Sequence, residues 1–142
     1  MQRLIRTLHE GGYSCVVRNG AEIRTCSRRG VADLYRLLKH DPAFLEGASV
    51  ADKVVGKAAA ALLAAGKVRR LHADTISTPA LELLRRAGIE TTYEREVDHI
   101  VDRTQTGWCP LELRCRDART AEECLPRIEA FMKALEAKTQ AV

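Results

Sequence analysis

Apolar positions recur at helical spacing in several stretches, separated by short runs rich in β-branched residues. Leu4, Ile5 and Leu8 give residues 1–10 one apolar helical face. Residues 13–18, rich in Val and Cys, predict a strand. Asn19-Gly20 supplies a two-residue hairpin turn, since both residues tolerate positive φ. Residues 21–26 form the returning strand. After Gly30, a helix carries Val31, Leu34, Leu37 and Leu38 on one side, and Asp41-Pro42 and Gly47 break the pattern. The next helix runs through Val54, Val55, Ala58, Ala59, Leu62 and Leu63 and ends with Gly66 at C′. Residues 68–73 predict a short strand. Ser77-Thr78-Pro79 opens another helix, with a hydroxyl to cap it and Pro in its first turn, and Gly88 closes it. Residues 89–93 predict a third buried strand. Residues 97–101 suit a turn of helix or a strand, and residues 107–110 a loop. Thr120 opens a final helix through Ile128, Phe131, Met132 and Leu135, with Glu123 at capping-box spacing.

The resulting order is α-β-β-α-α-β-α-β-α. A hairpin followed by alternating helices and strands implies an α/β fold: a three-layer α/β/α sandwich around a mixed sheet, with right-handed crossovers. The length of 142 residues suits a single domain, 1–142, that buries roughly two-thirds of its unfolded surface. Aromatics are only 4% of the chain, so the core must come from Leu, Val, Ile and Ala. The alanine run 58–61 points to a helix packed close to the sheet.

The net charge of +4 is compatible with an anionic ligand but falls short of a nucleic-acid footprint. Arg24, Arg28 and Arg29 are the nearest cluster, and few aromatics are available to stack on bases. No apolar run is long enough to span a bilayer, and the N-terminus lacks a secretory pattern. The five cysteines, 15, 26, 109, 115 and 124, form no Cys-x-x-Cys pair and read as reduced thiols of a cytoplasmic protein. His9, His40, His72 and His99 show no HxH or HxxxH spacing, so no metal and no other cofactor is expected.

Open α/β sheets bind ligands beyond the carboxyl ends of their strands, where helices begin. Two such starts stand out. One, over residues 47–57, carries Ser49, Asp52, Lys53 and Lys57, with the two lysines four apart on one helix face. The other, over residues 73–80, carries Asp74, Thr75, Ser77 and Thr78. Unpaired N–H groups and two lysines suit a phosphate or carboxylate. The competing structural reading makes Asp52 or Ser49 and Ser77 or Thr78 plain helix caps and leaves the lysines solvated. Gly56, inside the expected helix, calls for a close backbone approach to a neighbour or ligand, because glycine there costs about 1 kcal/mol relative to Ala. A third candidate is residues 107–112, where Cys109 precedes Pro110 and is either an activated thiol or a structural one.

Residues 50–60, reading VADKVVGKAAA, together with Asp102-Arg103 and the Cys109-Pro110-x-Glu112 element, resemble a bacterial family, the domain of unknown function numbered 1893. The resemblance covers nearly the whole chain. It implies a cytidine-deaminase-like sandwich of no established activity. Working deaminases start one helix with a His or Cys followed two residues later by Glu, and the next with Pro-Cys-x-x-Cys. The corresponding starts here read Asp52-Lys53-Val54 and Ser77-Thr78-Pro79, so zinc-dependent deamination is not inherited. The resemblance also implies that the two helix starts face one pocket. That makes Asp52, Lys53, Lys57, Ser77 and Thr78 its polar lining, with Cys109 and Glu112 as neighbours. Three functions compete. The first is a binding domain for a nucleotide or other phosphorylated small molecule. The second is a metal-free enzyme using Cys109 or Lys57. The third is a homo-oligomeric interaction module with a vestigial pocket.

Overall fold

The computed structural model describes residues 1–28, 31–101 and 107–140, without the side chains of 139 and 140. Gly30, Arg29 and Asp102-Arg103, all used in the sequence reading, lie outside the described residues. The elements run α1 (Gln2–Glu10), β1 (Cys15–Asn19), β2 (Glu22–Cys26), α2 (Ala32–His40), α3 (Pro42–Leu45), β3 (Ser49–Val55), α4 (Lys57–Ala65), β4 (Arg70–Ser77), α5 (Thr78–Arg86), β5 (Glu90–Val97), α6 (Pro110–Cys115) and α7 (Ala121–Gln140). The strands form one mixed sheet in the order β2-β1-β3-β4-β5. β1 pairs antiparallel with both β2 and β3, and β3, β4 and β5 run parallel.

The largest departure from the sequence reading is β3. Residues 49–55, expected to begin a helix, are the central strand. With a neighbour on each side and both faces covered, β3 buries Val50, Ala51 and Val55 alike. A strand buried on both faces loses the alternation that marks a strand, and a short apolar run then reads equally well as helix. The helix begins only at Lys57, with Gly56 in extended conformation at its N-cap. Asp52 and Lys53 therefore cap nothing, and Lys53 and Lys57 share no helix face.

Smaller corrections follow. The hairpin turn is centred on Gly20-Ala21, and the positive φ falls on Gly20. Asn19 instead donates through Nδ2 to the Phe44 carbonyl at 2.8 Å, tying β1 to α3. At the end of α4 the left-handed residue is Lys67 and not Gly66, whose missing side chain makes room for Leu45. β5 is mostly exposed, because it is the last strand of the sheet.

Two apolar clusters hold the layers. On one face Leu4 and Leu8 of α1 meet Val16 and Ala51. On the other, α4, α5, α6 and α7 pack over Val17, Val50, Leu71 and Ala73. α4 is buried all round through residues 58–63, and its alanines let α2, α5, α6 and α7 all approach it. Strands β3, β4 and β5 stand side by side in chain order, and α4 and α5 contact each other, so both crossover helices lie on the same face. The opposite face carries α1 over β1 and β3. Two helix starts follow their sequence signals. Ser77 Oγ accepts from Ala80 N at 3.3 Å at the start of α5. Thr120 Oγ1 accepts from Glu123 N at 3.2 Å before α7, while Glu123 returns a bond to Arg119 N at 3.0 Å. Among the described residues no helix is long and apolar enough to cross a membrane.

Candidate functional site

The parallel strands β3 and β4 run directly into α4 and α5 through Gly56 and Ser77. The two helix N-termini consequently open side by side at the carboxyl edge of the sheet, the place where open α/β sheets take ligands. The first of them is filled by the chain itself. Glu112, on α6, is only 5% exposed and accepts from Ala58 N at 3.2 Å. An added Cβ at Gly56 would stand 2.5 Å from the Glu112 carboxyl carbon. The glycine is there because a carboxylate sits against its backbone, so the close approach expected of Gly56 comes from within the chain. Burial raises the Glu112 carboxyl above the usual range, and the Lys57 and Ala58 backbone N–H groups and the charges of Lys57 and His99 oppose it.

Lys57 does not point into this crevice as a free cation. Its ammonium donates to the Arg116 carbonyl at 3.2 Å and to the Ala118 carbonyl, at the end of α6. On the second start, Ser77 is fully buried as the cap, and Thr78 Oγ1 donates to Glu96 Oε2 at 2.7 Å. Cys109 is half-buried at the N-cap of α6, its backbone N–H bonded to the Ile100 carbonyl at 2.9 Å. Beside it Trp108 stacks on His99, with ring centroids 4.4 Å apart and planes within 5°. The Arg116 guanidinium lies 4.9 Å from the Trp108 ring centroid. Neither aromatic ring was singled out in the sequence, where residues 97–110 lack periodicity and nothing local pairs His99 with Trp108.

Asp52 and Lys53 belong elsewhere. The register aligns Cys26, Cys15, Asp52, Ala73 and Tyr93 in one row across the sheet. Asp52 is three residues before the end of β3, and burial pushes its carboxyl up to about 7. Cys15, buried and hydrogen-bonded to Cys26, is held well above the usual thiol range. Cys115 is likewise raised by its hydrogen bond to Cys124. Lys57 and Glu112 thus meet at the start of α4, Ser77 and Thr78 stand at the start of α5, Cys109 stands at the N-cap of α6 one turn from Glu112, and Asp52 and Lys53 remain on the sheet. A shallow concavity between α6 and α7, lined by Arg114, Asp117, Pro126, Arg127 and Ala130, is separate from both helix starts. Its Arg127 is committed to Asp117 and the Arg114 carbonyl.

The architecture and this arrangement define an α/β domain whose principal helix start is closed by its own carboxylate. The model of the domain of unknown function DUF1893 matches residues 3–132, and the chain belongs to that family. It is similar to a crystal structure of a DUF1893 family protein, TM1506, from Thermotoga maritima at 2.70 Å resolution. The two share 28% identity and superpose with a TM-score of 0.83, over 92% of this chain and 90% of the other. No curated protein matches.

Proposed function

We propose that this domain binds a small planar, nitrogen-rich molecule of the nucleobase or nucleotide class at the starts of α4 and α5, and that it does so without zinc. The observation that carries the reading is Glu112, a buried carboxyl fixed on the first turn of α4 at the carboxyl edge of a parallel sheet. A carboxyl raised by burial recognises an amide or amidine edge in either protonation state, accepting from N–H as a carboxylate and donating as an acid. With His99 and Arg116 both on the Trp108 ring, a ligand ring would stack on the outer face of His99, and Thr78 supplies a hydroxyl from the second helix start.

The phosphate end of a nucleotide is less well served. Lys57 is engaged with carbonyls, and the N–H groups of α4 already hold Glu112. The reading therefore narrows to the base. A cytidine-deaminase-like classification accords with two helices starting after adjacent parallel strands. The deaminase metal does not fit these residues: Gly56, Lys57, Ser77, Thr78 and Pro79 offer no thiolate or imidazole, and an ammonium stands at one start.

The test is a melting screen of free bases, nucleosides, nucleotides and inorganic phosphate, followed by calorimetry on any binder. A base or nucleoside should raise Tm, and phosphate alone should not. Glu112→Gln should then weaken binding about ten- to a hundredfold, the worth of one hydrogen bond to a charged group. Thr78→Val, a milder change, should weaken it less. Binding by phosphate alone, or no response to any base, would remove the proposal.

A further inference from the structure

We propose that His9, His72, Asp74 and Glu94 form a binding site for a divalent transition-metal ion of the zinc, cobalt or nickel class, on the face of the sheet that carries α1. This site is independent of the crevice at the starts of α4 and α5. His72 and Asp74 are successive same-face residues of β4. His72 pairs in register with Thr92 on β5, and Glu94 is the next same-face residue of that strand. His9 closes the group from the last turn of α1.

His72 is the reason to expect a cation. Its side chain is 6% exposed, and its Nε2 is buried without a hydrogen-bond partner. Nδ1 lies 2.9 Å from Thr92 Oγ1, which fixes the ring. With Nδ1–H donated to Thr92, the Nε2 lone pair faces Asp74 Oδ1 at 3.8 Å and Glu94 Oε1 at 3.9 Å. In either tautomer Nε2 stays beyond hydrogen-bond reach of both carboxylates, and a cation drawn in between them would engage all three groups. A ring nitrogen held by a hydrogen bond on its other side is also how metal-ligating histidines are oriented. Asp74 in turn receives His9 Nε2 at 2.8 Å on Oδ2 and 3.0 Å on Oδ1.

Donors about 2.0–2.1 Å from a tetrahedral ion stand roughly 3.3 Å apart. The separations here, 2.8, 3.8 and 3.9 Å, straddle that edge. Among the described residues no group of three His, Cys, Asp or Glu is placed to hold a metal ion as it stands, so this site forms only if its exposed members swing in on the ion. His72 and Asp74 are the fixed half. His9, 49% exposed, and Glu94, 72% exposed, are the arms free to move. Two imidazoles with carboxylates favour zinc, cobalt or nickel over the all-oxygen preference of calcium and magnesium. Binding would clamp α1 to the strands its own apolar face does not cover.

The experiment is Co²⁺ absorption and Zn²⁺ calorimetry on the full chain, with melting curves of every variant. The expected result is one ion per chain and a visible Co²⁺ spectrum. Asp74→Asn and His9→Gln, both at partly exposed positions, should each weaken binding at least tenfold. Cys109→Ser and His99→Gln, at the other site, should leave it unchanged. No saturable binding by the unaltered chain would overturn the proposal. So would binding that survives both ligand variants, or binding lost with Cys109 or His99.

Discussion

A methyl group placed on Gly56 would meet the Glu112 carboxyl at 2.5–2.7 Å. That carboxyl cannot retreat cheaply, because it is buried on the α4 N–H groups. Gly56→Ala is therefore expected to cost about 1–3 kcal/mol in urea unfolding, from overpacking and a broken charged hydrogen bond. In a Glu112→Ala background the same change should cost clearly less, and equal costs would mean the two residues do not meet. Asp52 carries a different expectation. Its carboxyl titrates at about 7 in the folded chain and at about 3.9 when unfolded. Between those values the folded chain holds a proton that the unfolded chain has released. Stability is accordingly highest below about pH 4 as far as this group is concerned, and declines as pH rises towards about 7. The raised Glu112 adds a slope of the same sign. Asp52 keeps some contact with solvent, which tempers the effect. Urea unfolding across this range should show the decline, and Asp52→Asn should flatten it.

Between elements, the join of α4 to α6 rests on Lys57, whose ammonium satisfies the carbonyls of Arg116 and Ala118. From sequence, the same lysine reads either as an anion-binding group or as a solvated one, with no structural partner. Its contacts reverse that expectation: Lys57→Met should lower stability by about 1–3 kcal/mol, by leaving the part-buried Ala118 carbonyl unpaired. An unchanged urea midpoint would show that these bonds contribute nothing. Helix starts marked by their own hydroxyl, at Ser77 and Thr120, were legible because a cap is a local bond between near neighbours. β3 was not, because its identity comes from strands on either side of it. One signal was available: the β-branched Val50, Val54 and Val55 give way at Gly56 to an alanine run, marking a strand handing over to a helix. The hydrogen-bond partners of Lys57, Glu112 and His72 lie 20 to 61 residues away. Spacing along the chain carries no trace of such pairs.

At the scale of the molecule, α/β class and a mixed sheet were readable, because a hairpin followed by alternating elements admits few other solutions. The distribution of the layers was not readable, since it depends on which strand lies beside which. With β3, β4 and β5 adjacent in chain order, α4 and α5 share a face and β5 is left at the margin. The same order bears on how the chain assembles as it is synthesised. The hairpin β1–β2 can close as soon as it is made, but the other edge of β1 waits for β3, whose partners lie some 30 residues further on. From β3 onward, each new strand docks against the one made just before it, through a single intervening helix. Each such pairing closes a shorter stretch of chain, 20 or 21 residues between register partners against 31 to 37 between β1 and β3. A nascent chain therefore holds one slot open, briefly, and afterwards extends its sheet in the direction of translation, leaving no gap between finished strands for a foreign strand to enter.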